Sequence, residues 1–396
     1  MSAAAPERDP TPTTAEQHRW LTGELRAWEQ DGLITASTAA AIEGRYAIAP
    51  DTTQRVNTIR VILGLGASFL GVGLIWFVAT NLDKFSPLVR FVGLVLVWIA
   101  LAVVAELTRD LVAAALKLLT AVAAGAVVFQ AAQSLQVPAF EPQLLLAWGL
   151  GALLYAYARR SRAAGFVAIT VLAVWYVWQV MESSASILTF TGAVLLASVA
   201  SVGLAALHPK EWAGFGRLWL TLGAVMSLIG VFAAALPYSD GPRTWSNGVT
   251  AGIVLALGIA AAALWRSSRE VQFEIALSVA ALVLGMALSL WRPKTYFTMT
   301  PDAFTPEMWI RTGLAILVYL LVAASWAVVG ARRELGVVSA VATVAVVIFT
   351  TFQAFAVFAP IVSASILFLI VGAVMLITGV VAERARRRIG SEVRSS

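Results

Sequence analysis

Cysteine is absent from this 396-residue chain, and histidine occurs only twice, as His18 and His208. Disulfides, thiolate nucleophiles, haem ligation and the usual zinc sites therefore have no material. Charge is scarce too: Asp, Glu, Lys and Arg make up 13% of the residues and apolar ones 60%, with a mean hydropathy of +0.83. That balance excludes a water-soluble domain. The net charge of +6 does not point to nucleic acid, because the basic residues are divided among short stretches between apolar runs, where membrane topology puts them. No short apolar region lies near the start, so no cleaved secretory signal is expected.

What the chain has in abundance is long apolar runs. The first, Thr58 to Asn81, is long enough to cross a bilayer. Further runs follow at short intervals, and the spacing predicts spans near 58–80, 88–107, 112–135, 142–158, 163–181, 186–207, 216–237, 247–265, 271–290, 309–330, 334–354 and 360–382. The expected fold class is all-α: a polytopic transmembrane bundle of about twelve spans (58–382) behind a small cytosolic αα-hairpin, with a basic tail at 383–396. In the first span Gly64, Ser68 and Gly71 form a stripe of small residues that suits close helix packing.

Ahead of the membrane, residues 1–13 are rich in Ala, Pro, Thr and charge and are expected to be disordered. Residues 14–57 read as a helical hairpin and linker. Thr14 and Gln17 form a capping box, Gly32 ends the first helix, and Thr35 or Ser37 caps the second. Leu25 and Trp28 line the first helix, Leu33 follows the turn, and Ile42 and Tyr46 line the second. So small a unit must lean on a cytosolic loop, on lipid headgroups, or on a protein partner docking through residues 14–47.

Leu25, Trp28, Gly32, Leu33, Ile34, Ala39, Ile42 and Tyr46, followed by a Gly-rich span ending in Asn81, resemble the bacterial membrane family catalogued as domain of unknown function 2157. The resemblance covers roughly the first 140 residues, with Leu82 a departure from the Trp that members often carry after the Asn. It implies a multi-pass protein of the bacterial inner membrane with a cytosolic helical N-terminus, and it implies no activity.

Charge counts give an orientation. With the N-terminus inside, 22 of the 28 Lys and Arg residues fall on inner segments, and the outer segments hold only Lys84, Arg90, Arg243, Arg292, Lys294 and Arg311. Both termini are therefore expected in the cytoplasm. Arg60, Gly66 and Gly73 recur as Arg217, Gly223 and Gly230 at an offset of 157, and Arg159 and Gln179 recur as Arg333 and Gln353 at 174. The echo suggests two six-helix halves, 58–207 and 216–382, although an Ala/Leu/Gly/Val alphabet also produces such matches by chance.

Polar groups at membrane depth are costly and mark candidate sites. Asn81, Gln130, Gln133, Gln179, Glu182 and Gln353 all fall toward the outer ends of odd-numbered spans. They could line an outward vestibule for a polar solute or lipid headgroup, or simply join helices. No catalytic residue, metal site or cofactor motif is recognisable, and no enzymatic role is expected. The lipid bilayer is the expected partner. The leading functional expectation is transporter-like movement of a small polar solute or lipid; the alternative is a membrane scaffold or sensor that recruits a partner through the hairpin.

Overall fold

The computed structural model describes residues 11–13, 15–48, 86–136, 138, 141–236, 244–291 and 305–353, with isolated positions at 62, 65, 66, 69, 70, 73 and 372. Helices α1 (Ala15–Gln30) and α2 (Ala36–Glu43) form the expected hairpin. Gly32, at φ +72°, makes the turn, and the N–H of Leu33 reaches back to the Trp28 carbonyl at 2.9 Å. Only a residue free to adopt the left-handed region closes a helix this way at no steric cost. Thr35 caps α2 by accepting from the N–H of Thr38 at 3.3 Å. Two three-residue strands, β1 (Thr11–Thr13) and β2 (Tyr46–Ile48), pair in parallel beside it.

Ten apolar helices follow: α3 (Pro87–Leu107), α4 (Asp110–Ser134), α5 (Pro142–Ala158), α6 (Arg162–Ser183), α7 (Ile187–Leu207), α8 (Ala213–Ala235, entered by a 3-10 turn at Lys210–Trp212), α9 (Asn247–Arg266), α10 (Arg269–Leu290), α11 (Pro306–Arg332) and α12 (Gly336–Gln353). Among the described residues nine helices are long and apolar enough to cross a membrane, and α5 is a shorter apolar helix. They stand where the second to eleventh spans are expected. The first and twelfth spans, and with them Gly64, Ser68, Gly71 and Asn81, lie outside the described residues, so the count of twelve is not established.

Several helices start where the sequence supplies an acceptor or a proline. Ser161, Ser186 and Thr305 cap α6, α7 and α11 through their hydroxyls, and Pro87, Pro142 and Pro306 stand at first-turn positions that need no N–H donor. Neighbouring helices pack closely in the pairs α3/α4, α5/α6, α7/α8 and α11/α12, whereas α9 and α10 barely touch and each packs instead on α7. The turns at Arg160 (φ +48°) and Glu334 (φ +55°), which correspond at the 174-residue offset, share one bonding pattern: Ser161 N–H to Ala156 O, and Leu335 N–H to Gly330 O.

Helix α7 is the axis of the bundle. It packs against α6, α8, α9 and α10, and 72% of its most apolar stretch is buried inside the protein. Small residues make this possible. The fully buried Leu195 projects from α7 into a notch between Gly230 of α8 and Gly285 of α10, where a Cβ on either glycine would come within 2.5 Å of the leucine side chain. The dense Ala/Gly/Ser composition of this core is what van der Waals packing demands where lipid is as apolar as Leu.

Candidate functional site

A cavity of about 190 Å³ opens between α6, α7, α8 and α9. Its walls are Ile169, Leu172, Trp175 and Tyr176 from α6, Leu196, Ala200 and Ser201 from α7, Trp219 and Leu222 from α8, and Gly252 and Leu255 from α9. Alanines and a glycine where larger side chains would meet leave the space, and nearly all of the lining surface is carbon. Tyr176 reaches across to α9, where its hydroxyl occupies the place a Cβ on Gly252 would take. The Tyr176 O–H and the Trp175 indole N–H are both buried with no hydrogen-bond partner in the protein.

At the arginine-rich end the cavity is floored by Trp219, whose indole N–H donates to the Tyr157 hydroxyl at 3.1 Å. Tyr157 in turn lies 2.6 Å from His208 Nε2, and His208 Nδ1 lies 2.6 Å from the Leu204 carbonyl. A carbonyl only accepts, so Nδ1 carries a proton and donates to Leu204. Tyr157 stacks on Phe215 and Trp212, and Arg160 lies over the Trp212 ring at 5.0 Å. Through Trp219 and Leu204 this network borders the cavity.

Of the outer polar residues expected from the sequence, the described ones have these places. Gln130 is buried on α4, which packs against α3, α5 and α6; its amide N–H lies 3.4 Å from Ser134 Oγ, and its Oε1 has no partner. Gln133 is exposed on the same helix, and Glu182 is exposed near the end of α6. Gln179 accepts from Gln143 of α5 at 3.3 Å, an amide pair joining neighbouring helices. Gln353 lies elsewhere, on α12, donating to the Ala235 carbonyl of α8 at 3.2 Å with its Oε1 buried and without a partner. Among the hairpin residues, Leu25 is buried, Trp28 and Ile42 are half-buried, and Leu33 and Tyr46 are exposed.

Arg311 is the polar residue whose role sequence reasoning missed, having counted it only as an outer charge. It is 1% exposed and donates to three backbone carbonyls: Ala234 at the end of α8, Leu288 near the end of α10 at 3.1 Å, and Trp291 just beyond it at 2.6 Å. Two helix C-termini, each carrying the negative end of a dipole, thus converge on one guanidinium. A signal was present, since Arg311 falls five residues inside a helix whose start Thr305-Pro306 announces. At the other end of the bundle Glu274, 6% exposed, accepts from Arg333 at 2.6 Å and holds that guanidinium above its ordinary pKa. Glu106 pairs there with Arg159 and, at 3.4 Å, with Lys117.

These spans and their packing make the chain a membrane protein with several apolar helices, and one comparison agrees. A family model described as a predicted membrane protein, domain of unknown function 2157, matches residues 26–165. That stretch runs from within α1 to the first turn of α6, so every residue lining the cavity lies beyond it. Neither a curated protein nor a solved structure matches the chain.

Proposed function

We propose that this protein binds a lipid-soluble molecule inside the bilayer and moves it, a transporter-like role in which the α6–α9 cavity is the working site. The observation that carries the reading is the cavity itself: about 190 Å³ of space at membrane depth with walls almost entirely of carbon. A polar solute would lose its hydration there with little in return, so of the two cargoes the sequence suggests, lipid is the one that fits. The reading involves no enzymatic step. It takes the membrane to be the bacterial inner membrane with both termini cytoplasmic, the arrangement that the 22 to 6 division of Lys and Arg supports.

The test is extraction of the purified protein followed by mass spectrometry of what co-purifies, with proteoliposomes and a fluorescent lipid to follow movement. Wild-type protein is expected to carry a lipid-soluble species that Ala200→Trp, which fills the cavity, loses together with movement. An identical extract and identical movement from both proteins would defeat the proposal.

A second reading rests on the hairpin, which leaves Trp20 63% and Leu33 71% exposed. Those side chains suit a protein partner. Deleting residues 1–47 should then abolish partner recovery in a pull-down without altering the lipid extract.

A further inference from the structure

At the arginine-rich end, two turns distant in sequence are held side by side. Tyr157, at the end of α5, stacks on Trp212 and Phe215 at the start of α8. The Arg162 side chain, at the start of α6, runs over Gly214 of α8, where a Cβ would come within 2.7 Å of its Cδ. A cluster of cations results: Arg160 over the Trp212 ring, Lys210 just before it in the α7–α8 turn, Arg162 against Gly214, and Arg217 one turn further along α8. All four are exposed, and among the described residues none of them forms an ion pair. Glu211 is the one acid in either turn, so four positive charges are gathered with a single negative one. Gathered like charges repel, and Arg162 is the first residue of α6, the end at which a helix dipole disfavours a cation. Membrane topology calls for cations at this end, but not for their convergence.

Below the cluster the surface turns apolar. Between Arg162 and Val174 the exposed residues of α6 are Arg162, Phe166, Thr170 and Val174, a single face at intervals of four. The Thr170 hydroxyl donates to the Phe166 carbonyl at 2.8 Å, and that of Thr221, one turn beyond Arg217, donates to the Arg217 carbonyl at 2.8 Å, so neither needs an outside partner. Guanidinium groups at the head of an apolar track match a phosphate carried on acyl chains, since arginine holds phosphate oxygens in pairs and basic patches at membrane ends attract anionic lipid. From this we infer that the cluster binds the headgroup of an anionic phospholipid. Arg162 and Arg217 are its principal phosphate ligands, Arg160 and Lys210 complete the positive field, and an acyl chain lies along Phe166, Thr170 and Val174. None of these residues lines the α6–α9 cavity, so the inference does not depend on what that cavity holds.

The experiment uses the full chain purified in detergent and three probes: a phosphatidylglycerol, a phosphatidylethanolamine with the same acyl chains, and glycerol phosphate, which has the phosphate without the chains. Native mass spectrometry reads binding to wild type, Arg162→Gln/Arg217→Gln, Arg160→Gln/Lys210→Gln and Arg266→Gln/Arg269→Gln. The last pair removes two exposed cations from the α9–α10 turn. Wild type is expected to prefer phosphatidylglycerol to phosphatidylethanolamine and to bind glycerol phosphate more weakly than either. The first variant should weaken phosphatidylglycerol by roughly 30-fold, the value of two cations near a lipid surface, the second by a smaller factor, and the third should leave it unchanged. Because the substituted residues are exposed, the unfolding midpoint without lipid should stay at the wild-type value. Equal binding of the two lipids by wild type, or wild-type affinity in the first variant, would overturn the inference. So would a loss in Arg266→Gln/Arg269→Gln as large as that in Arg162→Gln/Arg217→Gln, which would mean that surface charge at large holds the lipid. Glycerol phosphate binding as tightly as phosphatidylglycerol would overturn the lipid assignment in favour of a soluble phosphate.

Discussion

The two ends of the bundle secure their helices by different chemistry. At the arginine-rich end, side-chain charges meet each other: Glu106 with Arg159 and Lys117, and Glu274 with Arg333. Arg159 and Arg333 keep 48% and 35% of their side chains exposed, so water shares the work. At the opposite end, side chains meet backbone. Arg311 donates to three carbonyls, Gln353 to a fourth, and Ser186 and Thr189 both donate to the Thr244 carbonyl at 3.0 and 2.8 Å, tying the α6–α7 turn to the start of α9. There the cation is buried and the acceptors are helix ends with nowhere else to turn. The lesson is that a count of charges locates the arginine-rich end, whereas the larger share of polar stabilisation per residue resides at the end with few charges.

That contrast can be broken by substitution. Arg311→Leu should have the largest effect, on the order of 3–5 kcal/mol, since each buried acceptor left without a donor costs ~1–3 kcal/mol. It is read as a fall in the unfolding midpoint and in monodispersity in detergent. Arg311→Lys should recover only part of it, because an ammonium cannot reproduce the planar fork. Glu274→Gln comes next, at about 1–3 kcal/mol, because Arg333 loses a charge-assisted bond but can turn toward water. A loss larger than that of Arg311→Leu would invert the comparison. Smallest is Glu106→Gln, below about 1 kcal/mol and shrinking further in salt, the behaviour of a pair whose partner is half exposed.

The sequence made the helices legible because apolar runs, serine and threonine caps and turn prolines are local signals. Gly32 and Thr35 act in the structure as their types and spacing predict. Neighbour relations were not legible. Helices α3 and α7 are both strongly apolar, yet 11% of the apolar stretch of one is buried and 72% of the other, since a face turned to lipid and a face turned to protein call for the same atoms. For the same reason nothing set the cavity apart, its walls being the Ala and Leu found everywhere else. The described polar candidates lie near the C-terminal ends of their helices, but whether Gln130 and Gln353 meet depends on which helices touch, and α4 and α12 have different neighbours. Arg311 near the end of a span looks like any topogenic charge until three carbonyls are seen around it.

The notch that receives Leu195 has a mechanical consequence. Because Gly230 and Gly285 come from different helices, the socket fixes axial register for three rods at once: a slip of one residue, ~1.5 Å, would drive the leucine into backbone. Helices α7, α8 and α10 are thus keyed to one another at this point.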